Sequence, residues 1–498
     1  MSDLASTLLA FSPDPQLEPS EYDKNVKKFS ATVKKFSSRE WVKSAESGSL
    51  LEALDPALNS VSLLLTLYTL AQNQGDSGLR PRSVNQVSDA WRPRAVLWNK
   101  TEQLLSSFDP ISIRYFGQQW RELIEFIGLV ASILRQPAMA LIPIRTAILR
   151  LDPSGGTLTT THVVFMQLCM ESTAYAQAVP LLDCIIHSFP PNASQGGEQG
   201  LLCADHGLSN GYITVKSGLS EKIRTADVQE YFLLGAMAFL GLGKYDEAQA
   251  LLEHVLVTPT SNTANGLMLE AYKKYVLAGA LASGQRPPIP KTANGNAMRT
   301  IRSASKAYEQ LTEVLHDLNL PRLLAEIEAG LSLWSEDGNF GLVQKLVENY
   351  PRFLLYKLQR TYASIPLDEL SGLLNKGDEE LEMYLSTLIK EGQVNASIER
   401  SIKTQQRVLK FYSDESMGPK AKSEQQQYKE LVACATRTES LTEQTRAADH
   451  RINLTKEFIE VEKKNRMKAA QAASGEEAMD TSWDVHKDGM DEDVMGDA

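Results

Sequence analysis

Apolar residues recur at three- and four-residue steps along almost all of this 498-residue chain, and β-branched alternating runs are scarce until about residue 394. That period predicts a mainly α protein built from amphipathic helices, and it excludes a sandwich, a barrel or a doubly wound sheet. In "KNVKKFSATVKKF", Val26, Phe29, Val33 and Phe36 share one face while Lys27, Lys28, Lys34 and Lys35 occupy the other. A basic amphipathic helix can lie on a membrane or enter a calmodulin-like groove, but the same pattern is expected of a first helix packing onto a helical array. Gly/Pro/Ser/Asn clusters at 73–82, 151–157, 189–200 and 283–297 separate the helical blocks.

A weak internal repeat runs through these blocks. "EYFLLGAMAFLGLGKYDEAQALLEHVLVTP" follows tetratricopeptide logic, with Gly243 and Tyr245 in the turn, Ala248 at a close helix crossing, and Leu252 and Val255 filling the next groove. Similar offsets place Tyr175, Ala178, Leu182, Ile185 and Pro190 in "STAYAQAVPLLDCIIHSFP", and more faintly Ala140, Ile144 and Ala147. Irregular spacing predicts a degenerate solenoid rather than a tandem array.

Near residue 365 the pattern changes. "IPLDELSGLL" predicts a helix with Pro366 in its first turn, Asp368 and Glu369 at its positive end, and Leu367, Leu370 and Leu374 facing inward. Gly377 ends it, and Asp378 caps a second helix with Leu381, Leu385 and Leu388 inward and Gly392 as its stop. Two alternating runs follow, one with Val394, Ala396 and Ile398 on a single face, the other with Leu409 and Phe411 toward the core. Helix, helix, strand, strand reads as a winged helix. Beyond Gly418-Pro419 comes one long helical stretch with a half-polar seam that includes Tyr428, Leu431, Leu441, Ile452 and Ile459. Such a helix has too few large apolar groups to stand alone and is expected to join a bundle, or else to fold back on its own domain.

Charge separates a tail from a body. The formal net charge is −11, yet residues 476–498 hold nine acids against one lysine, so the rest is almost neutral. A near-neutral body argues against a polyanion binder, and the tail reads as a disordered acidic end, with Trp483 as the one apolar anchor that would suit a docking role. Four dispersed cysteines without C-x-x-C encode neither a disulfide scaffold nor a zinc module. The longest uncharged apolar run, Val61 to Ala71, is too short to span a bilayer, and the N-terminus lacks the basic region of a secretory signal. The chain contains no H-x-H, no H-E-x-x-H and no complete phosphate-binding loop. "GLSNG" formally satisfies G-x-S-x-G, but no strand precedes Ser209 and no helix opens after it, so a surface loop is expected there instead of a hydrolase elbow. No catalytic, metal or cofactor residue is therefore expected.

The order helical repeats, winged helix, C-terminal helix resembles the PCI proteins of the proteasome lid, the COP-nine signalosome and a translation initiation factor. The segments "YFLLGAMAFLGLGKYDEAQALLEHVLVTP", "LMLEAYKKYVLAGALASGQ" and "GNFGLVQKLVENY" are most similar to a signalosome member. The resemblance implies irregular N-terminal repeats over 1–225, tetratricopeptide-like repeats over 226–360, a winged helix over 361–415 and a bundle helix over 420–473, and composition sets off the acidic tail over 474–498. It also implies a non-enzymatic scaffold that supports removal of Nedd8 from cullin–RING ligases by a zinc isopeptidase in another subunit. Its partners would be other PCI subunits, the first and eighth foremost, in nucleus and cytoplasm. A lid or initiation-factor paralogue, or a nucleic-acid-binding PCI protein, is the alternative. Against nucleic acid stands the acidic second helix of the winged motif, which carries Glu379 and Glu382. The basic residues Arg400, Lys403, Arg407 and Lys410 lie on and between the strands. An acidic helix and a basic wing on opposite sides suggest head-to-tail association with sibling domains.

Overall fold

The computed structural model describes residues 3–11, 17–46, 49–74, 78–191, 201–258, 263–374, 377–400, 406–412, 417–453 and 456–473. The chain divides into two compact units, Met1–Leu358 and Gln359–Ala498. Mainly α architecture holds throughout: the described strands are three, all short and all in the second unit.

In the first unit the helices bury their apolar stripes against neighbours near in sequence. Helix Gly117–Ile133 packs on Ala138–Leu151 and Thr160–Glu171, helix Thr225–Gly241 on Tyr245–Val257, and the latter on Gly266–Ser283. Ala140, Ile144 and Ala147 are fully buried, as are Ala248, Leu252 and Val255, so the small-residue crossings expected from the repeat pattern are present. Gly243 closes the turn between its two helices at φ +75°, a left-handed conformation that disfavours a side chain. Helix Thr225–Gly241 is apolar all round from Tyr231 to Leu240. Val228, Tyr231 and Ala238 belong to the core that extends back to Leu4. Leu233, Ala236, Phe239 and Leu240 belong to the core that runs on to Phe353. The domain boundary expected at 225/226 thus falls at the start of a helix that serves both cores.

The second expected repeat differs. After the turn at Tyr175–Gln177 only Val179–Leu182 is helical, and Ile185 is exposed. Tertiary pairing overrides the local pattern here: Thr157 and Ser188 form a parallel bridge, and the amides of His187 and Ser188 both donate to Gly156 O. The chain is drawn out of helix to make those bonds.

At the start of helix Thr160–Glu171, the Thr159 amide donates to His162 Nδ1 at 3.2 Å. Burial lowers the His162 pKa to about 4 from 6.5, with the Asp152 charge opposing weakly. The folded pKa is below the unfolded one, so the unfolded chain takes up the proton first as pH falls, and stability drops between about pH 6.5 and pH 4. From pH 7 to pH 5 the loss should be about 2 kcal/mol. Urea unfolding at the two pH values would check this, with His162→Gln expected to remove most of the difference.

In the second unit, strand β1 (Ser364–Pro366) precedes helices Leu367–Leu374 and Asp378–Lys390, then β2 (Ala396–Arg400) and β3 (Arg407–Phe411). The sheet order is β1-β3-β2, antiparallel throughout. Pro366, expected in the first helical turn, instead ends β1 opposite Val408. A proline tolerates the end of an edge strand because it has no N–H to donate. Leu381, Leu385, Leu388, Leu409 and Phe411 form the buried side as expected, and Gly392 stops the second helix at φ +68°.

Candidate assembly site

No described group of His, Cys, Asp or Glu could hold a metal ion. Burial pushes the Cys169 thiol up to about 12, far from a nucleophilic thiolate. Ser209 is buried, not on an exposed loop, because its Oγ lies 2.7 Å from Thr157 Oγ1, which in turn lies 2.9 Å from Ser188 Oγ. Ser209 thus closes a buried chain of three hydroxyls. No described helix is long and apolar enough to cross a membrane.

The winged-helix unit shows how the charges of its surface are disposed. Arg407, Leu409 and Phe411 alternate onto one face of β3, the face that meets the helices. Arg407 Nη1 therefore reaches Glu382 Oε2 on helix Asp378–Lys390. This corrects the expectation of an acidic helix and a basic wing on opposite sides: two residues assigned to opposing surfaces neutralise each other. Arg400 sits directly across the ladder from Arg407, a like-charge pairing that Glu382 relieves. On the other face of the sheet, Lys410 Nζ lies 3.5 Å from Glu399 Oε1. Hydrogen bonds from Ser397 and the lysine charge outweigh the slight desolvation of Glu399 and hold its carboxyl below the usual range. Arg400 and Glu379 remain exposed, without an ion pair among the described residues. Lys403 lies outside the described residues, as does the acidic tail.

The seam residues of the terminal segment are brought together differently. Two helices occupy it, Glu424–Asn453 and Lys456–Ala473. Tyr428, Leu431, Leu441, Ile452 and Ile459 are all between 41% and 69% exposed, and no residue of either helix whose exposure is described is buried. Their own ties are on the surface, such as Lys422 to Glu430 and Arg466 to Glu462. The described residues therefore show nothing of the alternative, a helix folded back to bury its seam on its own domain.

Sequence reasoning missed the groups that hold the repeats in place. Lys273 Nζ lies 2.6 Å from Asp337 Oδ1, and Tyr308 OH donates to Asp337 Oδ2 at 2.7 Å. Buried Lys274 contacts Glu270 and donates to Asn339 Oδ1 at 2.8 Å, while Asn339 Nδ2 donates to Tyr308 OH at 3.0 Å. Burial raises the Asp337 carboxyl, but bonds from Lys273 and Tyr308 and the charges of both lysines outweigh it and leave the pKa low. The network joins "LMLEAYKKYVLAGALASGQ" to "GNFGLVQKLVENY", two of the three segments that carry the signalosome resemblance. The adjacent lysines were the available signal, since a helix that buries neighbouring cations needs acids or amides elsewhere in the fold. The segment at 201–224 is fixed in a similar way. Arg114 donates to Leu202 O at 3.0 Å and stacks on Tyr212 at 3.6 Å. Arg121 reaches Gly218 O and pairs with Glu125 and Glu221.

Two family models match the chain. One describes the N-terminal helical repeats of COP9 signalosome complex subunit 3 and covers residues 23–295; the other describes the PCI domain and covers 315–404. A protein named COP9 signalosome complex subunit 3 from Emericella nidulans is 29% identical over 459 residues, which is 91% of this chain and 90% of that protein. Proteins of the same name from Dictyostelium discoideum and Arabidopsis thaliana are 23% and 24% identical, over 70% and 59% of this chain and 73% and 62% of theirs.

Proposed function

This chain belongs to the COP9 signalosome subunit 3 family, and from that premise we propose that it is a non-catalytic scaffold of the complex, supporting removal of Nedd8 from cullin–RING ligases. The observation that carries the scaffold reading is the pair of terminal helices whose seam is exposed along its length. The large apolar groups of this half-polar seam stay in water at a cost unless other helices cover them. Other signalosome subunits are the partners this reading requires, the first and eighth in particular. The terminal helices enter their shared bundle, and the winged-helix unit joins sibling PCI domains through Arg400, Glu379 and the strand edges. The chain needs no catalytic group of its own, in keeping with the buried hydroxyl of Ser209 and the buried thiol of Cys169, whose pKa is raised. The same reading puts the protein where its complex works, in nucleus and cytoplasm.

Gentle affinity purification of the tagged protein from its own cells, with mass spectrometry of the eluate, tests this reading. Signalosome subunits should co-purify in near-equal amounts. Recovery of lid or initiation-factor subunits in their place, or of the protein alone, would overturn it.

A further inference from the structure

Helix Pro19–Val33 segregates its charges along its axis. Glu21 and Asp23 stand in the first turns, and five lysines follow between residues 24 and 35. Its apolar face is already covered, since Tyr22, Val26, Phe29 and Val33 are buried and Phe29 stacks on Phe11 with ring centroids 3.7 Å apart. That coverage removes the side chains a membrane-lying helix would insert, and those a single-stranded nucleic acid would stack upon. What stays outside is charge. Lys27 is paired with Asp23, which also accepts from Tyr115 OH. Lys24, Lys28, Lys34 and Lys35 are exposed and form no ion pair among the described residues. The helix C-terminus favours Lys34 and Lys35, but Lys24 and Lys28 lie outside its last turn.

We propose that Lys24, Lys28, Lys34 and Lys35 form a docking surface for an extended acidic segment of a partner protein. From Lys24 to its end at Val33 the helix rises roughly 14 Å, a distance matched by about four residues of extended chain, and Lys34 and Lys35 stand in the turn just beyond. Lys24 and Lys28 stand one helical turn apart and Lys34 and Lys35 follow as a pair six residues on, so an extended strand can meet the cations as two successive groups. Lysine ammonium groups act as point charges that need no planar partner, which suits the flexible carboxylates of Asp and Glu. In a body that is otherwise almost neutral the stripe is a local excess of positive charge, which attracts an acidic segment to this helix.

The test uses the full chain and a fluorescein-labelled hexaglutamate peptide, followed by anisotropy. The triple variant Lys24→Glu, Lys28→Glu, Lys35→Glu should bind the peptide at least tenfold more weakly, whereas Lys291→Glu, an exposed lysine elsewhere in the same unit, should bind as the parent does. Parent binding should fall steeply as salt is raised. Circular dichroism checks the fold, and Lys→Gln changes at the three positions replace the reversal if it unfolds the helix. Equal binding by parent and triple variant would overturn the proposal. So would tighter binding of oligothymidylate or of phosphatidylserine vesicles than of the peptide.

Discussion

Asp337→Ala should destabilise the first unit by about 3–5 kcal/mol, the range for removing one partner of a buried ion pair. The side chains of Lys273 and Asp337 are 11% and 17% exposed, so the lysine left behind has little water to turn to. Tyr308 OH loses its acceptor at the same time, and that ring packs edge-on against Trp334 with centroids 4.7 Å apart. The defect therefore spreads along the Lys273–Asp337–Tyr308–Asn339 network. Chemical denaturation of the full chain, monitored by tryptophan fluorescence, would check it. A shift of less than about 1 kcal/mol would mean that the lysine finds water, as an exposed pair does. In the parent, the depressed Asp337 pKa adds stability that is present above the unfolded carboxylate value and lost as pH falls through the lower folded value.

Deleting residues 422–473 should reduce co-purification of signalosome subunits by more than tenfold while leaving the melting of the first unit unchanged. Both cores of the first unit are built from its own residues, and no residue of helices Glu424–Asn453 and Lys456–Ala473 whose exposure is described is buried. The exposed seam from Tyr428 to Ile459 would be lost entirely. Quantitative mass spectrometry of tagged parent and deletion, with thermal melts of both, would separate the two effects. Full incorporation of the deleted chain would move the principal contact to the repeats or the winged helix.

Much of this was legible in the sequence because helical burial is local. The three- and four-residue steps that put Ala248, Leu252 and Val255 inside need only their own helix and its neighbour. The winged helix was legible for a similar reason, except for β1. Three residues are too few for a period, and Pro366 serves equally as a helix opener or a strand end. The turn at Tyr175 misled because its spacing is that of a repeat, whereas its fate is set by Gly156 and Thr157, nearly twenty residues upstream in the chain. At the candidate assembly site, the exposed seam was legible and the pairing of Glu382 with Arg407 was not. The parity of β3 does place Arg407 on the helix-facing side with Leu409 and Phe411, but which acid waits there depends on how the helix crosses the sheet.

Helix Thr225–Gly241, with one core on each side, also bears on how such a chain can change over generations. A helix with a free outer face can be lengthened, shortened or duplicated at the cost of one interface. This one answers to Tyr231 on one side and Phe239 on the other, so a single inserted residue would rotate the faces beyond it by about 100° and spoil one fit or the other. Inherited length changes should therefore collect in the connecting segments, such as 190–222, and spare 225–241. The middle of the first unit is then the part where descendants keep the ancestral register longest.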